Sequence, residues 1–307
     1  MNKLVVLGSV NADHVLQVPS FPRPGETLSG KNYALIGGGK GANQAVAAVR
    51  LGADVDFIAC IGDDSFGSDI RNKFIVDGIN VDAVMVEKNT PTGIAMIQVS
   101  ESGENSICIS AEANACLTVE RLQPHLPKII VAEMLLMQLE TPLETILAAA
   151  KFAKKSITQV VLNPAPAQTL TDELLALVDI ITPNETEAQL LTGVNICDDV
   201  SAQQAADALH NKGIKLVLIT LGKRGVWLSE NKKGKLINGF SVNAIDTTAA
   251  GDTFNGALLA ALLADQCLQK AIIFAQAAAA ITVTVIGAQS SIPYKDQVEV
   301  FLAEACV

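Results

Sequence analysis

The 307-residue sequence predicts an α/β fold: a doubly wound, mostly parallel sheet flanked by helices, with a small β-sheet lid. Three observations predict it. Short β-branched runs alternate with helical stretches that stop at glycines, the rhythm of a parallel sheet joined by crossover helices. Half of the residues are hydrophobic yet only 4% are aromatic, which suits small side chains packed between helices and a buried sheet. Two stretches break the rhythm, and each reads as paired extended segments rather than as a connection. Residues 1–307 are read as a single domain, with the lid formed by insertions at 12–36 and 92–111.

In chain order, the first strand is Leu4–Val10. Residues 11–36 are too long for an ordinary βα loop, so His14–Val18 and Thr27–Leu35 read as strands joined through PSFPRPGE. Helix Lys40–Leu51, stopped by Gly52, leads to strand Val55–Ile61 and helix Ser68–Asp77, stopped by Gly78. Thr92–Ser110 holds GIAMIQVS, a turn at ESGEN, and SICIS, which is a hairpin signature. Strand Ile130–Gln138, helix Pro142–Lys155, strands Gln159–Asn163 and Ile180–Pro183, helix Ala202–Lys212 and strand Leu216–Leu221 complete the alternation. Ala271–Ile286 falls short of the ~20 residues a membrane span needs and carries Gln276, Thr282 and Thr284, so it reads as a buried helix. The two excursions pair into one small sheet. Beside a cleft such a sheet acts as a lid, and its outer face offers a dimer surface.

A net charge of −10 excludes a nucleic-acid partner, which needs a basic face. It leaves room for a small anion held by backbone amides. The six cysteines (Cys60, Cys108, Cys116, Cys197, Cys267, Cys306) form no C-x-x-C pair, and His14, His125 and His210 lie far apart. That spacing excludes a zinc or disulfide framework and indicates reduced, cytoplasmic thiols. The apolar start meets Asn11 and Asp13 at once, too early for a secretion signal.

The chemistry concentrates in a few motifs. In DTTAAGDTFNG (Asp246–Gly256) the small residues 249–251 open a helix, so amides without partners and the helix dipole form an anion hole. Asp252 lies in that same turn. A carboxylate there accepts a proton from an attacking hydroxyl while the amides stabilise a transferring phosphoryl group; alternatively it only stabilises a helix N-terminus. GGGKGAN (Gly37–Asn43) opens a helix but fits neither the Walker pattern nor G-x-G-x-x-G. Its glycines let the backbone close on a small polar ligand, with Lys40 and Asn43 as donors. A tight turn explains the glycines but not Lys40. Asn11 and Asp13 follow the first strand and Glu140 ends MLLMQLE, both at strand carboxyl ends, where open α/β sheets bind ligands. An amide beside a carboxylate suits a sugar diol. ITPNETE reads also as a helix cap by Thr182 or Asn184, and Ile219–Gly225 as a plain hairpin. No dinucleotide fingerprint follows the first strand, which argues against a nicotinamide dehydrogenase. A sugar- or nucleotide-binding regulator on the same fold remains an alternative.

GGGKGAN, NETE and DTTAAGDTFNG, in that order, resemble the ribokinase (PfkB-type) carbohydrate kinases, and the similarity runs from Leu4 to Phe301. VLGSVNADH, MQLE, LNPAPA, LVDIITPNETEA, ITLGKRGVW and GAQSSIP extend it. The resemblance implies a doubly wound domain that dimerises through its β-lids and phosphorylates D-ribose at O5 with ATP, using Mg2+ with the nucleotide and K+ as an activating cation. It implies sugar contacts at Asn11, Asp13, Gly39, Lys40, Asn43 and Glu140, a catalytic base at Asp252, and an anion hole at Ala249, Ala250 and Gly251. Nucleotide contacts fall on Asn184, on Thr220, Gly222 and Gly225 of the segment Thr220–Gly225, on Gly251 and on Gln276, with Glu187 organising magnesium through water. The potassium positions are the side chains of Asp246 and Ser291 and the backbone oxygens of Thr248, Thr282, Val285 and Gly287. The chain departs from the family pattern at three places. Ala249 stands where glycine is commonest, Gln276 where some members carry histidine near adenine, and Val285-Ile286 replaces a basic stretch.

Overall fold

Alternation along β1 (Lys3–Leu7) decides the architecture: Leu4 and Val6 belong to one buried cluster, Val5 and Leu7 to another. A strand apolar on both sides needs cover on both. In the computed structural model, which describes residues 3–102 and 104–305, that strand sits inside a nine-stranded sheet. The other strands of the chain are β2 (Asn11–Val18), β3 (Lys31–Gly38), β4 (Asp54–Gly62), β5 (Val84–Glu87), β6 (Gly93–Ser100) and β7 (Asn105–Ser110). They continue as β8 (Met134–Met137), β9 (Gln159–Leu162), β10 (Ile180–Ile181), β11 (Leu216–Thr220), β12 (Gly225–Glu230) and β13 (Lys233–Asn238). The large sheet runs β13-β12-β11-β10-β9-β8-β1-β4-β5 and is parallel except where β12 pairs with β11 and β13.

The helices are α1 (Lys40–Arg50), α2 (Ser65–Asp77), α3 (Val119–Leu122), α4 (Leu126–Val131), α5 (Leu143–Ala153) and α6 (Asp172–Leu175). Then come α7 (Glu185–Thr192), α8 (Asp199–Asn211), α9 (Ala250–Leu263), α10 (Leu268–Thr282) and α11 (Lys295–Ala305). Val46, Phe74, Leu258, Ile272 and Val298 bring α1, α2, α9, α10 and α11 onto one face of the sheet. Leu122, Ile129, Ile146, Leu174, Ala188 and Leu209 bring α3 to α8 onto the other. The sheet is therefore doubly wound.

A second sheet of four strands, ordered β3-β2-β6-β7, leaves the main one. Its register sets Ile36, Asp13, Ala95 and Ile109 in one row across the strands, and Leu35, His14, Met96 and Cys108 in the next. Neighbouring rows point to opposite faces. Asp13, Ala95 and Ile109 line the cleft described below, so Leu35, Met96 and Cys108 face away from it, and all three are exposed.

Several boundaries differ from the sequence reading. Asn11 and Asp13 are not loop residues after β1 but the start of β2. The strand expected at Thr27–Leu35 begins at Lys31, because β2 pairs with Lys31–Gly38 and the Pro-rich segment before it stays irregular. Ile130–Gln138 is split: Leu126–Val131 is helical, with Pro127 in its first turn, and only Met134–Met137 is strand. There Ile129 is buried while Val131 is exposed, a one-sided burial that a run of β-branched residues disguises. Strand Ile180–Pro183 shrinks to two residues, and α10 stops at Thr282. Gly103 of the ESGEN turn and Cys306 lie outside the described residues. Among those described, no helix is long and apolar enough to cross a membrane, and Cys60, Cys108, Cys116, Cys197 and Cys267 are free.

Candidate active site

The carboxyl ends of β1, β8, β9, β10 and β11 converge on a cleft of about 470 Å³. Such a crevice outside the strand ends is where open α/β sheets bind ligands. Its walls include Asn11, Asp13, Gly39, Lys40, Asn43, Glu140, Asn184, Glu187 and Thr220, with Thr248, Ala249, Ala250, Gly251 and Asp252 at the start of α9. The small sheet roofs it with Ala95, Ile97, Asn105, Ile107 and Ile109, none of which the motifs pointed to.

Each side chain is held by its element. Glu140 accepts from Ser9 Oγ at 2.5 Å and from the Lys40 amide at 3.0 Å, tying the end of β8 to the start of α1. Asn114 accepts from the Val10 amide and donates to Asn11 Oδ1 at 2.8 Å, which fixes the Asn11 amide. Asp252 is the third residue of α9, and both its oxygens are engaged from α1. Asn43 Nδ2 donates to Oδ2 at 2.9 Å and Gln44 Nε2 to Oδ1 at 2.9 Å. That contact requires α1 and α9 to approach closely, and Gly256 allows it: a Cβ there would meet Ala47 Cβ at 2.5 Å.

The first turn of α9 is open. Ala249 caps it with φ 60°, a left-handed conformation that costs a residue bearing a Cβ about 1–2 kcal/mol, which is the physical reason glycine suits this position. The amides of Gly251 and Asp252 fall where a helix has no internal acceptors. A Cβ on Gly251 would meet no atom of another segment within 4 Å, so the space above it belongs to the cleft.

The cleft is rich in acid. Burial first, then the charges of Glu140 and Asp252, push the Asp13 carboxyl up to about 7, against a smaller opposing pull from Lys40. Asp13 Oδ1 and Asn43 Oδ1 are buried without a hydrogen-bond partner, the signature of a surface shaped for a polar ligand. Burial acts to lower the Lys40 ammonium, but Asp252, Glu140, Glu187 and Asp13 together outweigh it and raise it.

The raised Asp13 gives a prediction. Its folded-state carboxyl binds a proton more tightly than the unfolded one, so stability falls as pH rises from about 4 to 7, by on the order of 4 kcal/mol. Asp13→Asn is expected to raise Tm by several degrees at pH 8 and by less at pH 5, measured by calorimetry. An equal Tm at both pH values would contradict the charge placed there.

Burial raises the Glu187 carboxyl, and its oxygens accept only from Asn184, through the backbone amide at 2.8 Å and Nδ2 at 3.0 Å. Asn184 in turn accepts from the Glu187 amide, so this pair is the capping box of α7 as well as cleft wall. A single carboxylate with spare lone pairs fits magnesium held through water. Asp246 accepts from the amides of Thr248 and Gly287, both at 2.9 Å, drawing the two segments together. The Thr282 carbonyl accepts from Val285, and Ser291 Oγ donates to Ala288 O at 2.8 Å. The donors at these positions, one carboxylate, one hydroxyl and several carbonyls, are all oxygen, the ligand type a hard cation takes. Asp246, Thr282, Val285, Gly287 and Ser291 stand outside the cleft wall, to which Thr248 belongs.

Three nucleotide candidates are also absent from the wall: Gly222, Gly225 and Gln276. Gly225 has a packing reason of its own, since a Cβ there would meet Ile237 O at 2.1 Å with φ at 110°. Gln276 is buried on α10 with neither side-chain polar atom hydrogen-bonded.

Comparison with known proteins gives this geometry its lineage. The model of the pfkB family carbohydrate kinases matches residues 1–295. A ribokinase of Haemophilus influenzae is 55% identical over 302 residues, covering 98% of this chain and 99% of the relative. A deoxyribokinase of Salmonella typhi is 34% identical over 306 residues, with 98% of each chain covered. The structure of an Arabidopsis thaliana ribokinase complexed with ribose and ATP superposes with a TM-score of 0.92 at 34% identity, over 98% of this chain and 99% of that one. With its family pattern matched almost end to end, this chain belongs to the pfkB family of carbohydrate kinases.

Proposed function

We propose that the protein transfers the γ-phosphate of ATP to the O5 hydroxyl of D-ribose, giving ribose 5-phosphate and ADP. One observation carries the reading: a carboxylate aimed by two amide donors shares a cleft with an amide-lined helix start and a polar cradle. The ribokinases compared above support the sugar and the nucleotide.

Asn11, Asp13, Lys40, Asn43 and Glu140, with the Gly39 backbone, seat the sugar hydroxyls and leave O5 beside Asp252. As O5 bonds to the γ-phosphorus, Asp252 takes its proton and the bond to the β–γ bridging oxygen breaks, releasing ADP. The amides of Gly251 and Asp252, at the turn opened by Ala249 and Ala250, stabilise the charge on the transferring group. Asn184 and Thr220 flank the nucleotide from the cleft wall, and Gly222, Gly225 and Gln276 stand outside that wall. Glu187 would hold magnesium through water, neutralising phosphate charge. Asp246, Ser291 and the carbonyls of Thr248, Thr282, Val285 and Gly287 would hold potassium, which adds positive charge behind the anion hole.

The small sheet is the lid, and closure over the sugar keeps water from the phosphate. Its outer face exposes Tyr33, Leu35 and Met96, apolar enough to meet a second copy of the chain. The free cysteines support a reducing, cytoplasmic setting.

ADP release with ribose, 2-deoxyribose, fructose or adenosine, in potassium or sodium salts, tests the reading. Ribose is expected to give the highest kcat/KM, raised by potassium. Deoxyribose falls below it because a missing hydroxyl leaves a buried polar partner such as Asp13 unpaired. Ribose binding by calorimetry without turnover on any sugar would make the protein a sugar-binding regulator instead.

A further inference from the structure

At the cleft floor a closed ring of hydrogen bonds links Asp252 to buried polar side chains that the reaction scheme above does not use. Gln138 Nε2 donates to Gln44 Oε1 at 2.6 Å. Gln44 Nε2 has two protons and spends one on Asp252 Oδ1 at 2.9 Å and one on Asn163 Oδ1 at 3.0 Å. Asn163 Nδ2 donates to the Thr182 carbonyl at 3.0 Å, and Thr182 Oγ1 to Asn255 Oδ1 at 2.6 Å. Asn255 Nδ2 closes the ring on the Gly251 carbonyl at 2.8 Å, one residue from Asp252. Gln44 is fully buried, and Gln138, Asn163, Thr182 and Asn255 nearly so.

We infer that Gln44 is the positioning residue that aims Asp252 and couples its carboxylate to the turn carrying the anion hole. The inference rests on Asp252 being the base. Within the ring, Gln44 is the side chain that bonds the reacting carboxylate, at Oδ1, while Asn43 holds Oδ2. A single fixed amide polarity serves the whole ring, because Gln44 Oε1 must accept from Gln138 while Nε2 donates twice. Reversing the amide would set N–H against N–H and oxygen against two acceptors. Gln44 thereby holds one lone pair of Oδ1 and leaves the remaining ones for O5–H. The charged groups that face Asp252 are Asp13 on β2, Lys40 on α1 and Glu187 on α7, with Glu140 after β8 acting on Asp13 and Lys40.

The test is the kcat–pH profile at saturating ribose and Mg-ATP for wild type, Gln44→Leu and Asp252→Asn. Gln44→Leu is expected to lose about 10- to 100-fold in kcat with KM for ribose nearly unchanged, and its acid limb to move to higher pH by about one unit, since a donor to the carboxylate is gone. Gln138→Leu, which leaves the Gln44–Asp252 bond in place, is expected to move the limb the same way by less, and serves if Gln44→Leu does not fold. A lower Tm with an unmoved limb in both variants means that the ring is structural only and overturns the inference. Full activity in Asp252→Asn would instead remove the base on which the inference rests.

Discussion

Asp252→Asn is expected to reduce kcat by about 10²- to 10⁴-fold, the range that a positioned general base contributes, while ribose still binds. The substitution keeps shape and removes the charge and the proton affinity of the carboxylate. One cost follows from geometry: both carboxylate oxygens accept from amides, so the new Nδ2 faces a donor whichever way it turns. Asn43 resolves it. Its Oδ1 is buried and unpartnered, so rotating that amide presents an acceptor to the new donor. Tm is therefore expected to stay close to wild type, and calorimetric ribose binding to persist, with turnover lost in the ADP assay. Near-normal turnover would move the base elsewhere in the cleft.

Gly251→Val is expected to lower kcat/KM for ATP by about 10²- to 10³-fold without loss of stability. The magnitude is that of losing a donor from an oxyanion-type site. A Cβ built on Gly251 meets no atom of another segment within 4 Å and the residue is exposed to the cleft, so the added side chain has room, and a helix position gains slightly from losing glycine. What the branched side chain obstructs is the approach of phosphate to the first amides of α9. Steady-state kinetics beside a melting curve separates the two effects. A stable variant with full ATP turnover would show that phosphate does not pass over Gly251.

Much of this was legible in the sequence because the motifs are local. GGGKGAN and DTTAAGDTFNG each place a helix start, and a helix start fixes where free amides and first-turn side chains point, so Lys40, Asn43, Gly251 and Asp252 follow from position alone. Long-range pairing is less readable. Asn11 and Asp13 look like loop residues until β2 pairs with β3 and β6, and the roof residues Ile97, Ile107 and Ile109 look like ordinary strand residues until register turns them inward. Asn255, Gln138 and Asn163 lie inside DTTAAGDTFNG, MQLE and LNPAPA, yet neither they nor Gln44 have a role that spacing alone reveals. Each is a polar residue inside or at the end of an apolar element, and only their meeting in space shows that they pair with one another. Ala249 shows the converse: a departure visible in the sequence, whose conformational cost only its φ of 60° reveals.

The central claim is that Asp252 activates O5 of ribose toward ATP, and the product of one incubation tests it most directly. Ribose, Mg-ATP and the protein in potassium buffer should yield a sugar phosphate whose 31P signal couples to the two C5 protons, formed in step with ADP. A phosphorus coupled to the anomeric proton, or ADP appearing without any phosphorylated sugar, would contradict the account.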